Sequence, residues 1–412
     1  MNILLGVYAC EPNNGSEPEV GWQMVNEIAK EMSNDTIFAV TKVNNKEAIE
    51  GEKYPDNLKF YYYALPRWFS FWKKGGRGIR TYYYLWMIGA ALFMKTQKIS
   101  FDIVHHVTFV NDWLPSFFSL LKNKNNKFIW GPIGSNDPID SKFLDGKRRK
   151  NLKKIRIFLQ VFFRNFDPAF HYCKFKADCI IGINENVKKK LSLNDEKYFI
   201  DEPAIGMKKS AMKEIEKSEK KGGGFLVISV GQLLYIKNFK LTVLAFAKFL
   251  EVNPDVINAK LQIVGDGEDR RGLELLVQQL NIVEYVEFSG KIPLHEVQEE
   301  FTKADVFLFP TLENAGFVII EAMSHFLPVL AMDYGGPQQF VIHHTEEQLV
   351  LSTQAYGDIV SDLAKKLEQL YFDERLRLKI GKQNHQDVLD QFTWEAKAKK
   401  MKGIYRKVLN EA

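Results

Sequence analysis

Two segments in the second half of the chain carry residues that could manage a nucleotide. In Val230-Gly231-Gln232-Leu233-Leu234-Tyr235-Ile236-Lys237-Asn238, an apolar run gives way to a glycine, and a lysine stands where the next helix should begin. A lysine there can bind a diphosphate as a point charge and neutralise a leaving group without a metal. In Thr311-Leu312-Glu313-Asn314-Ala315-Gly316-Phe317-Val318-Ile319-Ile320-Glu321-Ala322, Gly316 lets a phosphate-sized group approach backbone amides at a helix N-terminus, where the macrodipole favours negative charge. Glu321, one turn into that helix and followed by a small residue, can face the same crevice and accept both hydroxyls of a ribose. Taken singly, Lys237 also suits a solvated surface, Glu313 a first helical turn and Glu321 an exposed helix face. Two further junctions, Gly265-Asp266-Gly267 and Gly335-Gly336-Pro337, also follow strand-like runs. The first lacks the third glycine of a dinucleotide fingerprint. Four such junctions at the C-terminal ends of successive strands point to one crevice, where open parallel sheets bind ligands.

The first half offers Pro12-Asn13-Asn14-Gly15-Ser16-Glu17-Pro18, a glycine-containing loop between a strand and a helix. It can close over a sugar or phosphate, or serve as a plain connection. His105 and His106 end another apolar run and precede Thr108. A histidine at a strand terminus can donate to sugar or phosphate oxygens. Adjacent residues on a strand face opposite ways, so at most one of the pair should reach a crevice. Trp130-Gly131-Pro132-Ile133-Gly134-Ser135 closes a further strand and could line an acceptor side.

These residues need a scaffold of alternating strands and helices. Apolar runs bounded by turn residues lie at 3–8, 36–40, 103–107, 128–130, 179–183, 225–230, 261–264, 286–288, 306–309 and 328–331. Helical spacing of apolar residues marks 20–31, 241–251, 273–280, 318–324 and 359–371. The alternation predicts parallel sheets in α/β layers. A chain of 412 residues suits two domains of about 200 each. The lysine- and glutamate-rich stretch before Gly222-Gly223-Gly224 reads as a connection. We therefore expect a first domain over 1–206, a second over 207–385, and a helical segment, 386–412, packing back on the first.

Composition, with 46% hydrophobic and 26% charged residues and a formal charge of +5, is that of a soluble globular protein rather than a polycation. Cys10, Cys173 and Cys179 are sparse, odd in number and at no metal-ligand spacing, which fits a reducing compartment. The apolar start carries no basic leader, and the apolar run 82–94 is too short to span a bilayer as a helix. The expectation is a cytoplasmic protein, peripheral on the inner face of the membrane at most.

Taken together, the segments resemble the retaining glycosyltransferase family 4, of GT-B fold. The likeness rests on two glutamates with seven residues between them (Glu313 and Glu321), Lys237, "IVGDGEDR", "FSGKIP", "ADVFLFPTLENAGFVIIEAM" and "DYGGP". In the first half, "ACEPNNGSEPEVGW", "DIVHHVTF" and "WGPIGS" resemble bacterial members that build surface polysaccharides. The resemblance implies two Rossmann-like domains with parallel sheets facing a central cleft. It implies metal-independent transfer of a sugar from a UDP- or GDP-sugar to a glycan or lipid-linked acceptor, with no resident cofactor. By it, Lys237 binds the diphosphate, Glu321 the ribose, and Glu313 the sugar or transition state. Gly231, Gln232, Gly265, Gly316, Phe317 and Val318 line the donor, and Gly15 and Ser16 close over its phosphates. His105 or His106 touches the transferred sugar, with Thr108, Trp130 and Gly131 on the acceptor side. The family usually has arginine where this chain has Gln232, which removes one cation from the diphosphate site. A 2-epimerase acting on nucleotide sugars and a nucleotide-sugar-binding protein without turnover are the rival readings.

Residues 61–98 are crowded with aromatics and basic residues, and Lys147–Arg156 is a dense basic cluster followed by an apolar run. Basic residues beside exposed aromatics suit an anionic membrane surface, with Trp68, Phe69, Trp72 and 147–156 as the docking residues. The bland reading places the aromatics in the core. No RNA-binding signature accompanies them, so nucleic acid is not an expected partner.

Overall fold

The computed structural model describes residues 1–69, 78–135, 139–143, 147–194, 198–212, 223–313 and 316–410, without the side chains of Ser16, Arg67, residues 147–154 and Arg156. The chain divides into two compact units. Unit 1 comprises Met1–Ser135, Asn151–Gly206 and Trp394–Ala412, and unit 2 comprises Asn136–Lys150 and Met207–Thr393. The expected first domain, 1–206, is thus interrupted. Lys142 of the 136–150 segment donates its ammonium to the carbonyls of Ser352 (2.6 Å) and Gln354, and Phe143 packs on Tyr356. The return to unit 1 begins at Trp394 rather than at residue 386, because buried Phe392 still packs edge-on against Phe340 of unit 2.

Unit 1 holds β1 (Asn2–Gly6), β2 (Thr36–Lys42), β3 (Leu58–Tyr63), β4 (Ile103–His106), β5 (Lys127–Ile133), β6 (Cys179–Gly182) and β7 (Tyr198–Asp201), in the order β3-β2-β1-β4-β5-β6-β7. Every pairing is parallel. Helices on both faces of such a sheet bury its central strands, which is why residues 3–5 of β1 and 103–104 of β4 are apolar and fully buried. Tyr83, Trp86, Met87 and Ala90 of the helix Ile79–Thr96 enter the core against Leu4, Val40 and Val104. Most aromatics of the 61–98 stretch therefore pack inward, and the Trp86 indole donates to the Tyr63 carbonyl at 3.0 Å. Trp68 and Phe69 stay exposed and stack on each other, whereas Trp72 lies outside the described residues.

The C-terminal helix Trp394–Asn410 packs on the helix Ser16–Glu31. Its Lys397 is buried against the Glu202 carboxylate (2.5 Å) and the Pro203 carbonyl. Two nearby ammonium groups, Lys397 and Lys400, outweigh the burial that would raise the Glu202 pKa and hold it below the usual range. A buried carboxylate needs such partners, since removing one leaves an uncompensated charge.

Unit 2 holds β8 (Phe225–Val230), β9 (Ala259–Val264), β10 (Val286–Gly290), β11 (Val306–Leu308), β12 (Val329–Met332) and β13 (Leu349–Val350), in the order β10-β9-β8-β11-β12-β13 and parallel throughout. In each unit the first strand sits mid-sheet, and successive strands add first to one side and then to the other. This is the doubly wound Rossmann order, whose reversal point opens a crevice beyond the strand C-termini. It lies between β1 and β4 in unit 1 and between β8 and β11 in unit 2. Among the described residues, no helix is long and apolar enough to cross a membrane.

Candidate active site

The two loops singled out for nucleotide chemistry flank the reversal point of unit 2. After β8 the chain passes Gly231 at φ 154°, makes the single turn Tyr235–Lys237, and enters the helix Phe239–Val252 through Asn238 in the left-handed region. After β11 it runs through Pro310–Glu313 towards the helix Phe317–Ser324. The Leu312 amide and the Thr311 hydroxyl both donate to the Ile236 carbonyl, at 2.8 and 3.3 Å, and the Asn238 amide side chain donates to the Pro310 carbonyl at 3.0 Å. These bonds fix the loops to each other and set the Lys237 ammonium 2.5 Å from a Glu313 carboxylate oxygen. The Lys237 ammonium also lies 5.5 Å from the centre of the Phe309 ring. Both partners remain partly exposed.

The remaining junctions join the same wall. The Gly336 amide donates to the Glu313 carbonyl at 2.8 Å. Gly265 packs so closely on the first loop that an added Cβ would sit 1.9 Å from the Gly231 carbonyl oxygen, and its φ of 135° disfavours any side chain. The Gly231 amide donates to Val264, and Leu233 and Asp266 are similarly joined. The four junctions therefore form one connected rim in unit 2. A cavity of about 570 Å³ beside this rim is lined by Tyr235, Asn238, Asp269 and Tyr356 but by neither Lys237 nor Glu313.

Gly316 caps the helix Phe317–Ser324 and is tightly enclosed, its missing Cβ facing Ile319 and Phe340. The amides of Phe317 and Val318 begin that helix and so have no intrahelical acceptor. Glu321 is half-buried, and its carboxylate takes no hydrogen bond or ion pair among the described residues. Burial alone raises its pKa. Gln232 is exposed, and its side chain is likewise without a partner among the described residues. Gln339 donates to the Gly335 carbonyl at 3.1 Å.

Unit 1 treats its reversal point differently. Glu17 accepts the Phe109 amide at 2.7 Å, and Thr108 accepts the Ala9 amide at 3.2 Å, so the loops after β1 and β4 are tied together. Tyr8, Tyr83 and Phe109 pack there ring against ring. Gly15 has open space where a Cβ would be, and the Ser16 side chain lies outside the described residues.

His105 and His106 face opposite sides of the sheet, as a strand requires, and both are buried. His105 Nε2 donates to the Gly131 carbonyl at 2.6 Å and Nδ1 meets the Tyr405 hydroxyl at 2.8 Å. His106 Nε2 meets the Tyr83 hydroxyl at 2.8 Å. Burial lowers the pKa of His105 to about 4. For His106 burial, with a smaller contribution from His105, lowers it to about 3. Both rings are neutral near pH 7, and neither opens to solvent in unit 1. The acceptor-side expectations meet a similar obstacle. Trp130 is fully buried against Phe170, Thr108 is spent on Ala9, and Gly131 packs on the Ile181 carbonyl. All three lie on or beside central strands covered on both faces, which alternation along a short run does not reveal.

Residues 211–387 match the family described as glycosyl transferases group 1. The N-acetyl-alpha-D-glucosaminyl L-malate synthase of Bacillus anthracis is 28% identical over 56% of this chain and 56% of that protein. A lipopolysaccharide core biosynthesis glycosyltransferase of Rhizobium meliloti is 28% identical over 42% of this chain and 46% of its own length. The chain thus spans about half the length of these curated relatives. Sucrose-phosphate synthase from Thermosynechococcus elongatus superposes over the whole of both chains with a TM-score of 0.64 at 18% identity. The chain therefore has the fold of two parallel-sheet, Rossmann-like domains found in GT-B glycosyltransferases, and residues 211–387 match the glycosyl transferases group 1 family.

Proposed function

We propose that the protein is a retaining glycosyltransferase that takes a sugar from a nucleoside diphosphate sugar, a UDP- or GDP-sugar, and delivers it to a glycan or lipid-linked acceptor in polysaccharide biosynthesis. The observation that carries this reading is the rim of unit 2, where Lys237 and Glu313 pair at 2.5 Å, with Glu321, whose carboxylate has no partner among the described residues, on the helix that follows the Glu313 loop. A cation, a carboxylate that can turn to a sugar, and a second carboxylate without a partner among the described residues suit the diphosphate, the transferred sugar and the ribose in turn. The amides of Phe317 and Val318 add the partial positive charge of a helix N-terminus.

In this account the diphosphate draws Lys237 away from Glu313. The lysine then neutralises the charge that grows on the departing phosphate oxygen, the task a metal performs elsewhere. The released Glu313 carboxylate faces the sugar and stabilises positive charge as the anomeric bond loosens. The acceptor hydroxyl attacks from the face the nucleotide leaves and passes its proton to the departing phosphate oxygen, so configuration is kept. Acceptor recognition falls to unit 1; His105 and His106 act there as neutral supports for β4.

Calorimetric titration of the wild type, Lys237→Ala and Glu321→Ala with UDP and GDP, in EDTA, tests the assignment. Binding of one diphosphate by the wild type and its loss in both variants supports the reading. Equal affinity in all three refutes it.

A further inference from the structure

The helix Lys147–Phe166 carries eight Lys or Arg and no Asp or Glu, and none of its described side chains is buried. Phe158, Phe162 and Phe166 follow one another every four residues and remain 67%, 46% and 69% exposed. Their rings form a ladder, with centroids 6.4 and 5.1 Å apart, flanked by exposed Ile155, Leu159 and Phe163. At 100° per residue these six side chains share one stripe. Arg164 lies on the opposite side of the helix, where its guanidinium is held by the Asp112 carboxylate (2.8 Å) and carbonyl (2.9 Å). That anchor turns the stripe away from unit 1 except at Phe163, whose ring centre lies 6.1 Å from that of Trp113. The next helix, Pro168–Lys176, extends the surface with Phe175, 78% exposed, and Tyr172; the Lys176 ammonium lies over both rings.

We infer that this face of unit 1, residues 155–166 with Tyr172 and Phe175, docks on an anionic lipid bilayer. Large aromatics standing in water at helical spacing are costly unless something covers them. The charge decides what covers them. A second copy would bring one strongly cationic helix against another, whereas an anionic headgroup layer satisfies the cations and its acyl boundary takes the rings. The placement differs from the Trp68 to Trp72 stretch in resting on a continuous stripe with a fixed orientation. The inference draws on the glycosyltransfer reading only for its purpose, which is to hold the enzyme beside a lipid-linked acceptor.

Co-sedimentation of the full chain with phosphatidylglycerol–phosphatidylcholine vesicles and with phosphatidylcholine vesicles tests it. The wild type should bind the anionic vesicles and release them with added salt. Combined Phe158→Ser, Phe162→Ser and Phe166→Ser should weaken binding at least about tenfold. Lys153→Gln and Lys154→Gln should each weaken it roughly fivefold. Because the rings are exposed, the triple variant should keep the wild-type melting temperature and nucleoside diphosphate affinity. No wild-type binding at low salt, or full binding by the triple variant, overturns the inference. So does a wild-type dimer that the triple variant dissociates in the absence of any vesicle binding. Failure to bind any nucleoside diphosphate while vesicle binding persists would instead remove the enzymatic reading and leave the docking face in place.

Discussion

Lys237 of the turn after β8 and Glu313 of the loop after β11 form a 2.5 Å ion pair across the point where the strand order of unit 2 reverses. The corresponding point of unit 1 is bridged by Glu17 on the Phe109 amide and packed with aromatic rings. One topology thus carries two solutions, a charged rim and an apolar plug.

Glu313 competes with any phosphate for Lys237. Glu313→Gln should therefore tighten nucleoside diphosphate binding several-fold, since it removes both the competing partner and a repelling charge. Transfer should slow at the same time, because the carboxylate is then missing when the sugar becomes cationic. Titration with the cognate diphosphate, followed by turnover at saturating donor, separates the two effects. Weaker binding in the variant would mean that the pair holds the site in shape rather than opening for the ligand.

Gln232 stands exposed on the same loop as Lys237 with no partner among the described residues. Charge-assisted hydrogen bonds are roughly twice as strong as neutral ones. Gln232→Arg should tighten diphosphate binding by about 1 kcal/mol, several-fold in affinity. Unchanged affinity on titration would show that position 232 does not address the phosphates.

Burial raises the Glu321 pKa, so the folded state disfavours its charge. Stability linked to this group is present below its unfolded pKa and is lost as pH rises through the folded value. At pH 7 to 8, ligand-free Glu321→Gln should accordingly melt a few degrees above the wild type, and the gap should close towards pH 4. The same variant should bind donor roughly tenfold more weakly or worse, for want of a charge-assisted bond to the ribose. A variant that melts lower at neutral pH would show that the carboxylate has a structural partner.

His106 shows the opposite sign. Its folded pKa, lowered to about 3, means stability is present above the unfolded value near 6.5 and is lost as pH falls from there towards 3. His106→Phe should flatten the fall of melting temperature between pH 6.5 and 4, with the Tyr83 hydroxyl keeping the Thr108 carbonyl at 3.3 Å. If the acid limb of the melting curve is unchanged, His106 does not report on the fold in this way.

Much of this arrangement was legible because parallel strands buried on both faces leave largely apolar runs, and some of the loops after them begin with glycine. β1, β4, β8 and β9 were marked by such runs, and β8 and β9 also by Gly231 and Gly265 directly after them. β3 and β7 were not, since they lie at the edges and mix lysine, tyrosine and aspartate into their runs. Lys237, Glu313 and Glu321 could be proposed from spacing, but the pairing of the first two depends on the Ile236 and Asn238 bonds, which leave no pattern in the sequence. Trp130 and Thr108 looked available because a residue at a strand end gives no sign of what covers it. The aromatic ladder after residue 155 was visible as an apolar run, but its exposure depends on Arg164 gripping Asp112.

The central claim is that the rim of unit 2 binds a nucleoside diphosphate through Lys237. Isothermal titration of the full chain with UDP and GDP in EDTA, for the wild type and for Lys237→Ala, tests it most directly. The account predicts saturable metal-free binding of one diphosphate, weakened at least about tenfold in the variant with no change in melting temperature. Equal binding by both proteins, or binding that appears only when a divalent metal is added, would contradict it.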